Sequence, residues 1–383
     1  MRILILGGSW FLGYVIAEHA RRRGHDVTVF NRGRSPWPAA GITGVRGDRA
    51  SQSDLRRLAS SGPWDAVVDV QGLVPAQVRD SAAILSGNGC YLFVSSISAY
   101  QRWPDVPVSE ESEVRDADPD FDPGGWQWDE HLYGYMKAGS ECAIAREYPA
   151  QRRIILRPTI ILGPREYSAR LTWWLERVAR GGSILAPGRP GRVIQPVDVR
   201  DVAAFTVWLI EQRLCGTYNV AAPDGYGCFG DLLSACRDVT NSDGEFVWVG
   251  EDWLSRMDVA QWTELPLWRM AKGTWAVDAS LAARAGFACR PLGDTVADTW
   301  RWLVSGARPV PHERQLTNGI DPQKERRILA AWNAGPARDD EGDTDEGESQ
   351  PVGSRSERSG SLSRRGSHDD SSDRPTGRGS HHQ

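Results

Sequence analysis

The chain has 383 residues, 40% hydrophobic and 25% charged, which gives ample material for a buried core and matches an ordinary water-soluble globular protein. Its formal net charge of −5 argues against a surface built for nucleic acid or anionic lipid, and no apolar run approaches the ~20 residues that span a bilayer. Six cysteines without a CxxC pair suit neither a zinc site nor a disulfide-stapled secreted fold. Reduced thiols, no bound metal and, since the opening lacks a signal-peptide pattern, a cytoplasmic location are therefore expected.

The predicted elements begin with RILIL, an apolar run closed by glycine, and FLGYVIAEHARRRG, whose helical spacing ends at Gly24. The strands DVTVF and GVRG follow, then a polar helix SQSDLRRLASS, the strand DAVVDV, and the helix PAQVRDSAAILSG with Pro75 in its first turn. CYLFVSS is a further strand, and a helix containing YGYMKAGSECAIAREY leads into the strand RIILRP. Repeated βα units with fully apolar strands predict a parallel sheet covered on both faces. Right-handed crossovers make it a doubly wound α/β fold of Rossmann type.

Residues 1–165 are expected to form the dinucleotide-binding domain, completed by part of 190–222, with a smaller substrate-binding region at 166–305. DPQKERRILAAW then predicts a helix within 306–335 that docks on the body through Ile328, Leu329 and Trp332. From Pro336 onward, an acidic run and a Ser/Arg/Gly-rich stretch bury too little surface to offset ordering entropy. Residues 336–383 are expected to be a disordered tail.

In GGSWFLG, residues 7–13, the chain leaves a strand and enters a helix, where unpaired N–H groups and the helix dipole favour a diphosphate. Gly7 allows a tight turn, Gly8 lets backbone approach phosphate, and Gly13 lets helix and strand come close. Ser9, Trp10, Phe11 and Leu12 complete this candidate cofactor loop. The second strand runs into FNRGRS. An acidic residue there, about 20 positions past the glycines, would bond the ribose 2′-hydroxyl of NAD. This chain has Asn31, Arg32 and Arg34 instead, and guanidinium suits a 2′-phosphate, so NADP is expected in preference to NAD.

The chemistry is expected at YLFVSSISAY and YGYMK. Tyr133 and Lys137 stand four apart on one helix face, so the ammonium can favour the phenolate form of a group that ordinarily titrates near 10. Such a phenol exchanges the alcohol proton while hydride moves to or from nicotinamide, and Ser96 orients the substrate oxygen. Tyr135, two residues from Lys137, lies on a different face.

These motifs together resemble the extended short-chain dehydrogenases/reductases, the NAD-dependent epimerase/dehydratase family, whose turn reads GGxGFIG. Trp10 replaces the middle glycine, as in the GGTRFLG-like turns of the atypical branch. The resemblance covers about residues 1–305. It implies a Ser–Tyr–Lys triad of Ser96, Tyr133 and Lys137, an adenine contact at Asp48, and a loop-organising role for Asp198. It also implies a possible homodimer through a four-helix interface that includes the YxxxK helix.

Two departures narrow it. Ile97 and Ser98 stand where sugar dehydratases of the family carry an Asp-Glu pair. Thr159 and Ile160 stand where nucleotide-sugar epimerases carry a diphosphate-holding asparagine. The expected function is an NAD(P)-dependent reductase or dehydrogenase acting on a small-molecule carbonyl or alcohol. Sugar epimerisation with a recycled cofactor is the alternative, and behind both stands a non-enzymatic RNA- or dinucleotide-binding member of the fold. No nucleic acid or membrane partner is expected. Arg165, Arg170, Arg192, Trp173 and Trp174 are candidates for lining the substrate pocket.

Overall fold

The computed structural model describes residues 1–33, 40–125, 129–312, 315 and 318–335. Arg34 and the tail expected at 336–383 lie outside the described residues. The first half runs β1 (Arg2–Leu6), α1 (Phe11–Arg22), β2 (Asp26–Asn31), β3 (Thr43–Arg46), α2 (Gln52–Ala59), β4 (Ala66–Asp69), α3 (Pro75–Ile84), β5 (Cys90–Val94), α4 (Glu130–Glu147) and β6 (Arg153–Pro158). The second half adds β7 (Ile161–Leu162), α5 (Arg170–Ala179), β8 (Ser183–Pro187), β9 (Val197–Asp198), α6 (Val199–Gln212) and β10 (Gly216–Val220). After these come α7 (Phe229–Thr240), β11 (Glu245–Val249), α8 (Glu251–Arg256), α9 (Ser280–Arg284), α10 (Leu292–Val304) and α11 (Pro322–Asn333).

Seven parallel strands form one sheet in the order β10-β6-β5-β4-β1-β2-β3. Alternation along β1 explains its two covered faces. Ile3 and Ile5 pack with Ile16 and Ala20 of α1 and with Val202 and Leu209 of α6. Leu4 and Leu6 pack on the other side with Leu55 of α2, Val78 of α3 and Ile144 of α4. Each such buried side chain contributes roughly 1.5–3 kcal/mol. The strand order reverses between β1 and β4, and a crevice opens there at the carboxyl ends of the strands.

Local signals set the helix ends. Ser51 Oγ accepts from the Asp54 N–H at 3.3 Å to cap α2, and Asp129 Oδ1 accepts from the Leu132 N–H at 2.7 Å to cap α4. Helix α1 ends in His19, Arg21 and Arg22, which complement its dipole, and Gly24 at φ +85° turns the chain away.

After β6 the chain builds a second cluster around Trp174, Trp268 and Phe229, with β8 and β11 paired in parallel. Midway through that cluster, between β8 and β11, it returns to lay β10 against β6, Gly216 opposite Ile154. Helix α11 docks as the sequence predicts, with Ile328 and Leu329 buried and Trp332 half-buried 5.7 Å from Trp253. Its buried Glu325 accepts from Arg177 Nε at 2.9 Å and from the Leu185 N–H at 3.1 Å.

Candidate active site

The glycine turn joins β1 to α1 at the crevice. The Gly7 N–H donates to Phe30 O at 2.9 Å, and Gly7 and Gly8 take φ of +112° and +85°, which side chains rarely adopt. A Cβ on Gly13 would lie 2.8 Å from the Gly8 nitrogen, so only glycine lets α1 seat against the turn. No acidic residue stands in the first turn of α1, whose N–H groups are thus left to face an anion. These residues fit the diphosphate of a dinucleotide.

One end of the cleft is lined by Asn31, Arg32, Asp48 and Arg49 together with Gly7 and Ser9. Asn31 braces the turn: its Nδ2 donates to Gly7 O at 3.2 Å and its Oδ1 accepts from the Gly33 N–H at 2.8 Å. Arg32 is exposed at the rim. Arg49 is held inward by a two-pronged contact with Asp69, at 3.0 and 2.9 Å, and Tyr91 donates to the same carboxylate at 2.8 Å. Burial alone would raise the Asp69 carboxyl, but the adjacent guanidinium keeps it below the usual carboxylate range. Burial and that carboxylate push the Tyr91 phenol well up.

At the other end, β5 delivers two serines with different surroundings. Ser95 donates to Glu141, which also binds Arg157 through Nε at 3.0 Å and Nη2 at 2.5 Å, so Ser95 belongs to a buried structural network. Ser96 accepts from the Ser98 N–H at 3.1 Å and caps the short turn Ile97–Ala99. Helix α4 approaches that turn because Gly134 has no Cβ to collide with Ser98 O.

Lys137 Nζ donates to Gly72 O and Val94 O, both at 2.8 Å, and sits 5.8 Å from the centre of the Tyr133 ring. Ser96, Tyr133 and Lys137 line one cleft with Trp10 to Gly13. Tyr135 points elsewhere: its hydroxyl accepts from the Asp118 N–H at 3.0 Å and its ring meets Phe121.

Beyond Ser96, Tyr133 and Lys137 the cleft is lined by Glu130, Thr159, Ser168, Arg170 and Trp262. The Arg170 and Arg269 guanidinium groups lie 5.3 and 5.0 Å from the Trp262 ring, and Arg269 is paired with Glu130. The Thr159 hydroxyl donates to Gln195 O at 2.6 Å, tying it to backbone.

Of the expected pocket residues, Arg170 reaches the cleft and four do not. Trp174 is fully buried core with its indole N–H on Pro266 O at 2.7 Å, and Trp173 meets it edge-on at 4.7 Å. Helical spacing put these rings into the lobe core. Arg165 is drawn over the Tyr14 ring at 4.0 Å, and Arg192 pairs with Glu251. Asp198 caps α6 and pairs with Arg200 at 2.7 Å, buried away from the cleft-lining residues. Trp10, expected near the phosphates, lines both ends of the cleft. Sequence reasoning missed Gln71, Leu73 and His312, which also line both ends. The first two follow β4 where the crevice opens, a signal that could have been used, whereas His312 lies far down the chain with no motif around it.

A glycine cradle at the reversal of a doubly wound sheet, facing a serine, tyrosine and lysine, places the molecule among dinucleotide-binding α/β enzymes. The chain belongs to the NAD dependent epimerase/dehydratase family, whose family model matches residues 3–221, and it is therefore an enzyme of that family. It is 25% identical over 255 residues to "Chloroplast stem-loop binding protein of 41 kDa b, chloroplastic" of Arabidopsis thaliana. That alignment takes in 61% of this chain and 62% of the relative, so the chain spans less than two thirds of that relative's length. Among solved structures, WbmG of Bordetella bronchiseptica, in complex with NAD and UDP, superposes with a TM-score of 0.59 at 19% identity, over 80% of this chain and 96% of that one. UDP-glucose 4-epimerase of Thermotoga maritima, with UDP-glucose, gives 0.58 at 19% identity, over 80% and 99%. These likenesses define a shared fold. Among the described residues no helix is long and apolar enough to cross a membrane.

Proposed function

We propose that this enzyme transfers hydride at a secondary alcohol or carbonyl carbon of a small polar substrate, with Tyr133 as acid/base. The observation that carries this reading is the single cleft in which Ser96, Tyr133 and Lys137 face residues of the glycine turn. A nicotinamide dinucleotide, held at Gly7, Gly8 and Gly13, supplies the hydride chemistry when bound. The Lys137 ammonium, fixed by Gly72 O and Val94 O, stabilises negative charge on the Tyr133 phenol. Tyr133 then gives or takes the proton of the substrate oxygen, which the Ser96 hydroxyl orients. A second reading, epimerisation with hydride returned to the opposite face, is supported by the C-terminal segment that brings His312 into the cleft. Such a segment suits a cofactor kept through turnover. Stem-loop binding is not carried over from the relative's name, because a net charge of −5 offers little to a phosphate backbone.

NADP is the proposed cofactor, since Arg32 stands exposed at the adenosine end and Asn31 replaces the acid that would repel a 2′-phosphate. The test is to release and weigh any dinucleotide in the purified protein, then titrate wild type and Arg32→Ala with NADPH and NADH. NADPH is expected to bind about tenfold more tightly than NADH, with the difference lost in the variant. Tightly held NAD with no response to NADPH would instead select the epimerase reading. Binding of neither would remove the cofactor assignment.

Partnering follows from α4. Its outer face carries Tyr135 and Gly139, and Asp118 and Phe121 lie directly on them. Arg79 and Arg146 pin the same segment through Asp120. Beyond that segment the same face of α4 stays exposed at Cys142 and Arg146. We propose that the homodimer expected through α4 uses this stretch, so light scattering on the eluted protein should give the mass of a dimer; the mass of a monomer would overturn it.

A further inference from the structure

The two ends of the cofactor cleft share four lining residues, Trp10, Gln71, Leu73 and His312. Three come from the loops after β1 and β4, where a dinucleotide site of this fold lies. His312 comes from the segment between α10 and α11. A dinucleotide laid along the cleft passes from its adenosine end to its nicotinamide end between these residues. The part of the molecule that makes this passage is the diphosphate.

His312 is held in place by its surroundings. Its ring lies 4.8 Å from that of Tyr167 and 6.2 Å from that of Trp10, edge-on to the indole at 85°. The Gln315 N–H donates to His312 O at 3.0 Å, and the Gln315 side-chain amide donates to Tyr167 O at 2.8 Å and Val310 O at 2.6 Å. The Asn318 amide donates to Ser168 O. Gln315 and Asn318 are thus bonded to Tyr167 and Ser168, which line the proposed nicotinamide end, and Ile320 beyond them is buried, as is the Glu325–Arg177 pair.

An imidazole carries an N–H donor in either neutral tautomer and two when protonated, and the α1 N-terminus beside it already favours an anion. Resting on the dinucleotide reading above, we propose that His312 is a diphosphate-binding residue. It joins the glycine turn in holding the cofactor, which then lies between the start of α1 and a segment from the far end of the chain. A hydrogen bond to a charged group is worth enough to change affinity by about tenfold.

The test is calorimetric titration of the full-length protein and its His312→Ala variant with three probes. These are AMP, ADP-ribose, and whichever of NADP and NAD wild type binds more tightly. The variant is expected to lose about tenfold in affinity for the dinucleotide and for ADP-ribose, both of which contain the diphosphate, and under threefold for AMP. His312→Gln, which keeps an N–H donor, should recover part of the loss and melt with wild type. Unchanged affinities in His312→Ala, or an equal loss for all three probes, would overturn the inference while leaving the dinucleotide reading intact. A wild type that binds none of the three overturns the dinucleotide reading, and this inference falls with it.

Discussion

Replacing Tyr133 with phenylalanine is expected to lower turnover by about 10²–10⁴-fold while dinucleotide affinity stays within about twofold. The substitution removes the oxygen proposed to exchange a proton with substrate and keeps the ring that lies beside Lys137. Lys137→Ala would be a poorer test, because the ammonium also ties Gly72 O on one loop to Val94 O on β5. The check is steady-state kinetics with the carbonyl or alcohol that a substrate screen yields, alongside dinucleotide titration of the same preparation. A Tyr133→Phe variant with wild-type turnover would remove the phenol from the mechanism. A matched loss of dinucleotide affinity would mean the ring positions the cofactor instead.

Asp69→Ala should cost about 3–5 kcal/mol of stability, because it strands the Arg49 guanidinium inside the protein. For a chain of this size the melting temperature then falls by on the order of 10 °C. The effect carries to the cleft, since Asp69 Oδ1 also accepts from the Gln71 N–H at 3.1 Å, and Gln71 lines both ends of it. The pH dependence has a definite sign. The folded-state carboxyl is held below its unfolded value, so its contribution is complete above about pH 4 and is lost as pH falls through the folded value. Acid melts of wild type should therefore steepen below about pH 4, and the double variant Arg49→Met with Asp69→Leu should regain most of the lost stability and show a flatter acid limb. A melting temperature for Asp69→Ala within two or three degrees of wild type would show that water reaches the pair.

The parallel sheet was legible because its strands are buried on both faces and therefore read as unbroken apolar runs between helices with clear start and stop signals. The glycine turn was legible for a related reason: Gly7, Gly8 and Gly13 each answer a local backbone demand visible in seven residues. Long-range partnerships left no such trace. Ser95 and Ser96 are identical letters side by side and both line the cleft, and only Glu141, 46 positions beyond Ser95, draws one of them into a buried network. Arg49 has no local sign of its partner, Asp69, which lies 20 positions further on. The tryptophans after β7 are candidates for the pocket, although their helical spacing more often marks core, and Trp174 is core, its N–H on Pro266 O. His312 was invisible for the plainest reason, since nothing near it in the chain has a cofactor to meet.

The late return of β10 to the edge of β6 has a consequence for how the chain is made. Synthesis at about 5–20 residues per second leaves several seconds between the emergence of Pro158 and that of Gly216. Through that interval a nascent chain has every other strand of the sheet available while the outer hydrogen-bonding row of β6, the side away from β5, has no neighbour, and such a row readily recruits a stranger. Helix α6, which covers Ile3, Ile5 and Ile16, also arrives only then. Birth on the ribosome is thus the moment at which this protein most needs a chaperone.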